Sequence, residues 1–178
     1  MSAPVSAGPG LIARHYHGHA HGVPVDAVSL DYDARFLRRK VLTTEGGKAL
    51  LVDLAQTTSL DHGGVLVLEG GGEVAVIAAE EPVLEVTGPD LVRLAWHIGN
   101  RHTPAQIAQD RIYIKPDHVI ADMLTRLGAG LRDVVRPFTP EGGAYGHGRT
   151  HGHAHGHSHG PGGGHDHDHG HDHDHSHG

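Results

Sequence analysis

The sequence predicts an α+β protein of two small domains followed by a disordered, histidine-rich tail. Three observations predict this class. Short apolar runs are separated by glycine turns as far as Glu80, which is typical of an all-β domain. From Glu81-Pro82 onward, strand-like runs alternate with helical patterns, which favours a mixed domain. Residues 147–178 contain no large apolar side chain, so this segment lacks the material for a packed core.

The composition limits both the chemistry and the compartment. The chain has 178 residues, with 14 Lys and Arg against 21 Asp and Glu, and a formal net charge of −7 when histidine is neutral. This acidic balance disfavours a general nucleic-acid binder, because phosphate contacts need a basic surface. The absence of cysteine excludes thiolate sites and leaves nitrogen and oxygen donors, which favours Ni, Zn, Cu or Co. We expect no signal peptide and no membrane span, and therefore a cytoplasmic protein.

Residues 1–22 are predicted to be a flexible leader, because proline and glycine crowd the first half of this segment. Its second half carries four alternating histidines: His15, His17, His19 and His21. In an extended chain these four rings would lie on one face. The pattern predicts either a small auxiliary metal patch or a solvated strand edge, and the sequence leaves both open.

Residues 23–80 are predicted to form an N-terminal β domain with two hairpins. The runs 35–42 and 49–54 flank a turn at Glu45-Gly46-Gly47-Lys48, and the runs 65–68 and 74–77 flank Gly70-Gly71-Gly72. Short strands with glycine turns favour a sandwich or barrel. A basic cluster in the first run is interpreted as either a docking surface or a solvated strand edge: Arg35, Arg38, Arg39 and Lys40.

Residues 81–146 are predicted to form a ferredoxin-like domain. A strand at 83–86 is followed by a helix that starts at Thr87-Gly88-Pro89-Asp90 and stays apolar to Ile98. A further strand is predicted at 111–114. The second helix begins after Asp117, its N-cap, and ends at Gly128. A last strand is predicted at 131–138. These elements are interpreted as the order β-α-β-β-α-β of a ferredoxin-like split βαβ fold, of which the named segments supply three of the four strands.

The tail, residues 147–178, is predicted to be disordered and to bind divalent metal. It alternates histidine with Gly, Asp, Ser and Ala, and flexible neighbours allow several imidazoles to converge on one ion. An expression tag and a solvated tail without a role are the alternative interpretations. The candidate ligands are the thirteen tail histidines: His147, His151, His153, His155, His157, His159, His165, His167, His169, His171, His173, His175 and His177.

Three histidines in the second domain are also candidate metal ligands. His97 and His102 are five residues apart, which is about 140° on a helix, so they do not chelate one ion as an i, i+4 pair does. His102 becomes a good site if a two-fold axis brings a second copy opposite it. His118 is expected at the start of the second helix. The alternatives are a packing role for His97 and local hydrogen bonding for His118.

Three stretches resemble a known family. They are similar to the urease accessory nickel chaperones of the UreE family, and the histidine-rich end follows them. The stretches are His97–Ile107 (HIGNRHTPAQI), Asp117–Leu124 (DHVIADML) and Phe138–Tyr145 (FTPEGGAY). The resemblance covers nearly everything from Val23 onward, and Gly-Asn-Arg-His followed by Gln106 is its specific part. It implies an N-terminal β domain that docks partners and a homodimer made through C-terminal metal domains.

For individual residues, the resemblance implies that His102 is the central ligand, contributed by both protomers to one interfacial ion. His118 matches one member of a secondary His-x-His surface site in the family, but Pro116 stands in place of the other. The implied partners are the accessory GTPase UreG and the rest of the urease maturation complex.

The predicted function is that of a Ni²⁺ carrier for urease assembly, with Zn²⁺ or Cu²⁺ also binding in vitro. The alternative is a cytoplasmic Ni/Zn storage or detoxification protein in which the tail is the main metal site. A hydrolase is disfavoured, because the folded part offers no HExxH and no other compact His/carboxylate set that the sequence reveals. A phosphate-binding loop is disfavoured too, because no Lys-Ser/Thr follows Gly70-Gly71-Gly72.

Overall fold

The computed structural model describes residues 10–142, which form two units of secondary structure. The first contains β1 (Leu11–His17), β2 (Asp26–Leu30), β3 (Phe36–Thr43), β4 (Ala49–Ser59), β5 (Val65–Leu68) and β6 (Glu73–Ala78). The second contains β7 (Glu80–Thr87), α1 (Leu91–Gly99), β8 (Ala105–Ile107), β9 (Ile112–Ile114), α2 (His118–Arg126) and β10 (Gly130–Pro137). The prediction of an α+β protein with an all-β unit first is confirmed. The predicted tail lies outside the described residues.

The first unit is a six-stranded sheet in the order β2-β6-β5-β1-β4-β3. Both predicted hairpins are present, since β3 pairs antiparallel with β4 and β5 pairs antiparallel with β6. The hairpin turns contain Gly47 with a φ of 77°, and Gly71 and Gly72 with φ of 90° and 92°. These left-handed conformations favour glycine, so the turn residues fix where the strands reverse.

The prediction of a flexible leader is wrong for residues 11–17, which form β1. This strand lies inside the sheet, parallel to β4 on one side and antiparallel to β5 on the other. Ala13 in β1 is completely buried, and Leu11 packs against the same core. Pairing on both edges stabilises this strand, and the partners are distant in sequence, so the local pattern of the leader does not reveal it.

The first sheet surrounds one apolar core. Alternate residues of β4 point into it, and Leu50, Val52 and Leu54 are all buried. The backbone N–H of Glu45, just beyond β3, donates to the carbonyl of Ala27 in β2 at 2.8 Å. The two edge strands therefore approach each other at one corner, which curls the sheet around its core.

The second unit is a four-stranded antiparallel sheet in the order β10-β7-β9-β8, with α1 and α2 on one face. Its element order agrees with the sequence-based prediction. The helix-facing side is apolar, and the residues that form this core are Leu84, Val86, Ile112 and Ile114 of the sheet with Leu94, Ile98, Ile120 and Leu124 of the helices. Pro82 of β7 pairs with β10, whereas β9 pairs only with residues 84–86 of β7. No hydrogen bond to β9 is therefore lost through the missing N–H of Pro82.

Both helices begin at the predicted aspartates. The Asp90 carboxylate accepts from the backbone N–H of Arg93 at 3.0 Å, and the Asp117 carboxylate accepts from Ile120 at 2.9 Å. The second helix is followed by Gly128 with a φ of 85°, which is the predicted left-handed residue beyond the helix end.

The other face of the second sheet packs against the first domain. Tyr32, Val83, Tyr113 and Phe138 form a shared buried cluster. The interpretation of Arg35 as part of a solvated basic edge is wrong, because this side chain is only 4% exposed. Its guanidinium donates to the carbonyl of Leu60 at 3.4 Å and to that of Phe138 in the second domain. Burial lowers the pKa of Arg35.

Candidate metal centre

His102 lies in the turn that follows α1. The helix ends at Gly99, and the backbone N–H of His102 donates to the carbonyl of Gly99 at 2.9 Å. Among residues 10–142, His102 is the one non-glycine residue with a positive φ, at 56°. A left-handed conformation costs an L-residue about 1–2 kcal/mol, and such outliers cluster at functional sites. The helical angle between His97 and His102 does not apply, because His102 lies beyond the helix. The turn presents its exposed side chain at the helix end.

His97 lies in the last turn of α1 and is half-buried. Its ring packs edge-to-face against that of Trp96, with 4.9 Å between the ring centroids. Its carbonyl accepts a hydrogen bond from the Arg101 guanidinium at 3.4 Å. These contacts describe a helix-packing histidine, and metal ligation by His97 stays a prediction.

His118 is the first residue of α2 and is exposed. Together with His97 it lines a groove between the two helices, with a volume of about 560 Å³. Arg101 and Arg126 oppose a cation in this groove, whereas Asp122 favours one. His97 and His118 therefore line the same groove, and His102 is not among its lining residues, although its neighbour Arg101 is.

A compact set of candidate ligands lies instead in the first domain. Within the described part of the chain, one group of three His, Asp or Glu side chains has ligand atoms that all lie within 4.8 Å of one another: His17, His21 and Glu73. The expectation that the folded part offers no compact His/carboxylate set is therefore wrong. The strand β1 ends at His17 and His15 is not a member of this group, so the four leader histidines do not lie along one strand.

Sequence reasoning missed Glu73 entirely. It is separated from His21 by 52 positions, and no spacing pattern links residues so far apart. The only signal in the sequence was the histidine alternation of the leader, which identified two of the three side chains. The thirteen tail histidines lie outside the described residues, and their role as ligands stays a prediction.

In the C-terminal domain, His97, His102 and His118 do not form a three-ligand group within one protomer. No helix among residues 10–142 is long and apolar enough to cross a membrane. These features define a two-domain α+β protein in which the candidate imidazole ligands of residues 10–142 lie at or near the surface.

Comparison with known proteins identifies the family. Residues 11–79 match the N-terminal domain of the UreE urease accessory protein, and residues 81–177 match its C-terminal domain. The urease accessory protein UreE of Ruegeria sp. (strain TM1040) is 71% identical over 144 residues, covering 80% of this chain and 82% of the relative. That of Ruegeria pomeroyi is 68% identical over 126 residues, covering 71% and 85%. That of Cereibacter sphaeroides is 58% identical over 133 residues, covering 75% and 72%.

The chain therefore belongs to the UreE urease accessory protein family. It is an accessory protein and not an enzyme.

Proposed function

We propose that this protein carries Ni²⁺ for the assembly of the urease active site. In this proposal it acts in the cytoplasm as a homodimer, and the two copies of His102 hold one ion between the C-terminal domains. The tail histidines collect further ions, and UreG with the rest of the urease maturation complex receives the metal. The observation that carries the proposal is the exposed imidazole of His102 on a backbone conformation that ordinarily favours glycine.

The chemistry of His102 supports a shared site. One imidazole is a poor ligand set by itself, and no other two ligands of its domain complete a group of three with it in the described protomer. A two-fold axis doubles every ligand near it, because a symmetric dimer pairs identical patches. A site with two imidazoles and open positions also exchanges its ion more readily than a closed four-ligand cage.

An exposed apolar surface on the helices supports dimerisation through the same domain. Val92 and Trp96 are 83% and 63% exposed, and they lie four residues apart on one face of α1. Val119 of α2 is 59% exposed. Large apolar side chains grouped at a surface favour a partner that covers them. The strand order β10-β7-β9-β8, with a helix after the first and the third strand in sequence, supports a ferredoxin-like topology for this domain.

His118 and His97 have a secondary role in this proposal. Pro116 has no ligating side chain, so His118 needs further donors from the tail or from the second protomer. The groove that His118 shares with His97 is open to solvent and offers Asp122 as a carboxylate donor. In this proposal the groove binds Ni²⁺ transiently as the ion passes from the tail to the dimer interface.

The proposal is tested by urease activation in cells that contain either the wild-type chain or the His102→Ala variant. We expect the substitution to abolish most activation under limiting nickel, because it removes both copies of the interfacial ligand at once. Equilibrium dialysis on chains that end after Gly146 should show a Ni²⁺ count lower by about one ion per dimer in the variant. His15→Ala, which removes an exposed imidazole of the first domain, is the matched control.

Unchanged urease activation by the His102→Ala variant would contradict the carrier mechanism. The alternative function, metal storage, predicts that His102→Ala leaves urease activation unchanged. The observation that favours storage is the presence of thirteen histidines in the tail. If storage is the function, removal of the tail eliminates nearly all Ni²⁺ binding, and urease activation depends neither on His102 nor on the protein.

A further inference from the structure

The loop between β1 and β2 is organised by a single residue of a distant strand. Glu73 is the first residue of β6, and its carboxylate accepts from the backbone N–H of His21 at 3.1 Å and from that of Gly22 at 3.3 Å. Its own carbonyl accepts from the backbone N–H of Val25 at 2.8 Å. The loop is thus attached to Glu73 at two separate points, which places its histidines beside the carboxylate.

The rings of this loop converge on the end of β1. His17 is the last residue of that strand, and its ring lies edge-to-face against that of His21, with 4.9 Å between centroids. The ring of His19 lies 4.8 Å from that of His21. His17 and His21 are exposed and Glu73 is partly buried, so solvent ions reach the rings while the carboxylate is held in place.

We propose that His17, His21 and Glu73 form a metal site on the N-terminal domain for one divalent first-row transition ion, such as Zn²⁺ or Ni²⁺. Two imidazoles and a carboxylate are ligands that these ions accept together. His19 or a water molecule completes the coordination. The site shares no residue with the proposed His102 site or with the proposed tail ligands, and it does not depend on the proposed carrier function.

The geometry requires only a small adjustment to bind an ion. Metal–ligand distances of about 2.0–2.2 Å place tetrahedral ligand atoms roughly 3.3–3.6 Å apart. The ligand atoms of the group lie within 4.8 Å of one another without an ion. Side-chain rotations that move these atoms by about an ångström would bring them to the distances that an ion requires. The carboxylate retains acceptor capacity beyond the two backbone N–H groups that it binds, because an ionised carboxylate has about four lone-pair positions.

Ring and backbone NMR on the full-length, ¹⁵N-labelled protein tests this site during a Zn²⁺ titration. Zn²⁺ is the probe because it is diamagnetic, so shifts report direct contact and not the proximity of ions in the tail. We expect the ring nitrogens of His17 and His21, and the amides of His21 and Gly22, to shift together. In His21→Ala the remaining signals should need at least tenfold more Zn²⁺, since loss of even an outer-shell partner costs 10- to 100-fold in affinity.

Glu73→Gln separates ligation from loop anchoring. The glutamine amide oxygen still accepts a backbone N–H, so the loop keeps an anchor while the anionic ligand is lost. We expect the same tenfold or larger weakening in this variant, and an unchanged Zn²⁺ midpoint in His15→Ala, the matched control. The proposal is overturned if these signals stay still when the rest of the protein is saturated, or if Glu73→Gln and His21→Ala keep the wild-type midpoint. The titration is repeated in the His102→Ala variant, where the Zn²⁺ midpoint of these signals should be unchanged. Failure of the proposed carrier function would therefore leave this test unaffected.

Discussion

At the scale of single residues, His102 combines a backbone cost with an exposed imidazole. A left-handed position is most often occupied by glycine, and Asn, Asp and His are the other residue types enriched there; Gly99 and Asn100 stand three and two positions before His102. The left-handed conformation nevertheless falls on a histidine. Metal ligation by His102, as proposed above, would give this position a reason to keep an imidazole.

Replacement of His102 by glycine should separate the conformational cost of the left-handed backbone from the proposed metal ligation. We expect His102→Gly to raise the free energy of unfolding by up to about 1 kcal/mol, because glycine occupies the left-handed region without a Cβ penalty. The same change should remove the interfacial Ni²⁺. Denaturant unfolding of the metal-free protein measures the first effect, and equilibrium dialysis measures the second.

His102→Ala is the control for that comparison, since it loses the ligand and keeps a Cβ. It should share the loss of metal without the gain in stability. A glycine variant less stable than the alanine variant would show that the turn is not strained at this residue.

At the scale of elements, the two helices of the second domain leave an apolar face uncovered in the single chain. We expect Val92→Glu to convert a dimer into a monomer, because it introduces a charge into the proposed interface. Val92 is 83% exposed in the single chain, so the fold of each copy should be retained and the loss of stability should be limited to the contribution of association. Analytical ultracentrifugation measures the assembly state.

The matched control is Val41→Glu, which places the same charge on β3 of the first domain, where Val41 is 58% exposed. This variant should stay dimeric. If Val92→Glu is also dimeric, the proposed interface on α1 is incorrect.

Individual elements were predicted correctly from the sequence where their signals are local. Hairpin turns, helix caps and the glycine after α2 were predictable, because each is encoded within a few residues: Asp90, Asp117 and Gly128 need only their neighbours. The strand β1 was not predictable in this way, because it is stabilised by pairing with β4 and β5 far along the chain. The same limit explains why Arg35 was misplaced and Glu73 missed, since their partners Phe138 and His21 are distant in sequence.

At the scale of the whole molecule, the second sheet uses its two faces for different purposes. One face packs against the helices, and the other carries Glu81, Val83, Glu85 and Tyr113 toward the first domain or its edge. The buried carboxylate of Glu81 accepts from the backbone N–H of Tyr32 at 2.7 Å and lies 3.8 Å from Lys115. Together with Arg35 and Phe138, these contacts join the two domains through buried polar groups as well as an apolar cluster.

Glu85 on that face makes the stability of the second domain depend on pH. Its carboxylate accepts from Arg111 at 3.0 Å and from Arg132 at 2.8 Å. Burial acts to raise the pKa of Glu85, but the hydrogen bonds from Arg111 and Arg132 outweigh it, so the net pKa is lowered. A folded pKa below the unfolded value means that the unfolded chain binds the proton more readily. The stabilisation is therefore present above the unfolded pKa, about 4.3 for glutamate, and is lost as the pH falls through the folded pKa.

Glu85→Gln should accordingly destabilise the protein by about 1.5–3 kcal/mol at pH 7, the magnitude of a hydrogen bond to a charged partner. The difference from wild type should narrow as the pH falls below the unfolded pKa of about 4.3, because the unfolded wild-type chain then binds a proton that the folded carboxylate, with its lowered pKa, still resists. Urea unfolding across this pH range measures both quantities. Glu80→Gln, at an exposed carboxylate of the same strand, should show neither effect. A destabilisation that is constant at every pH would mean that glutamine disturbs packing at this position and that the ion pairs contribute nothing.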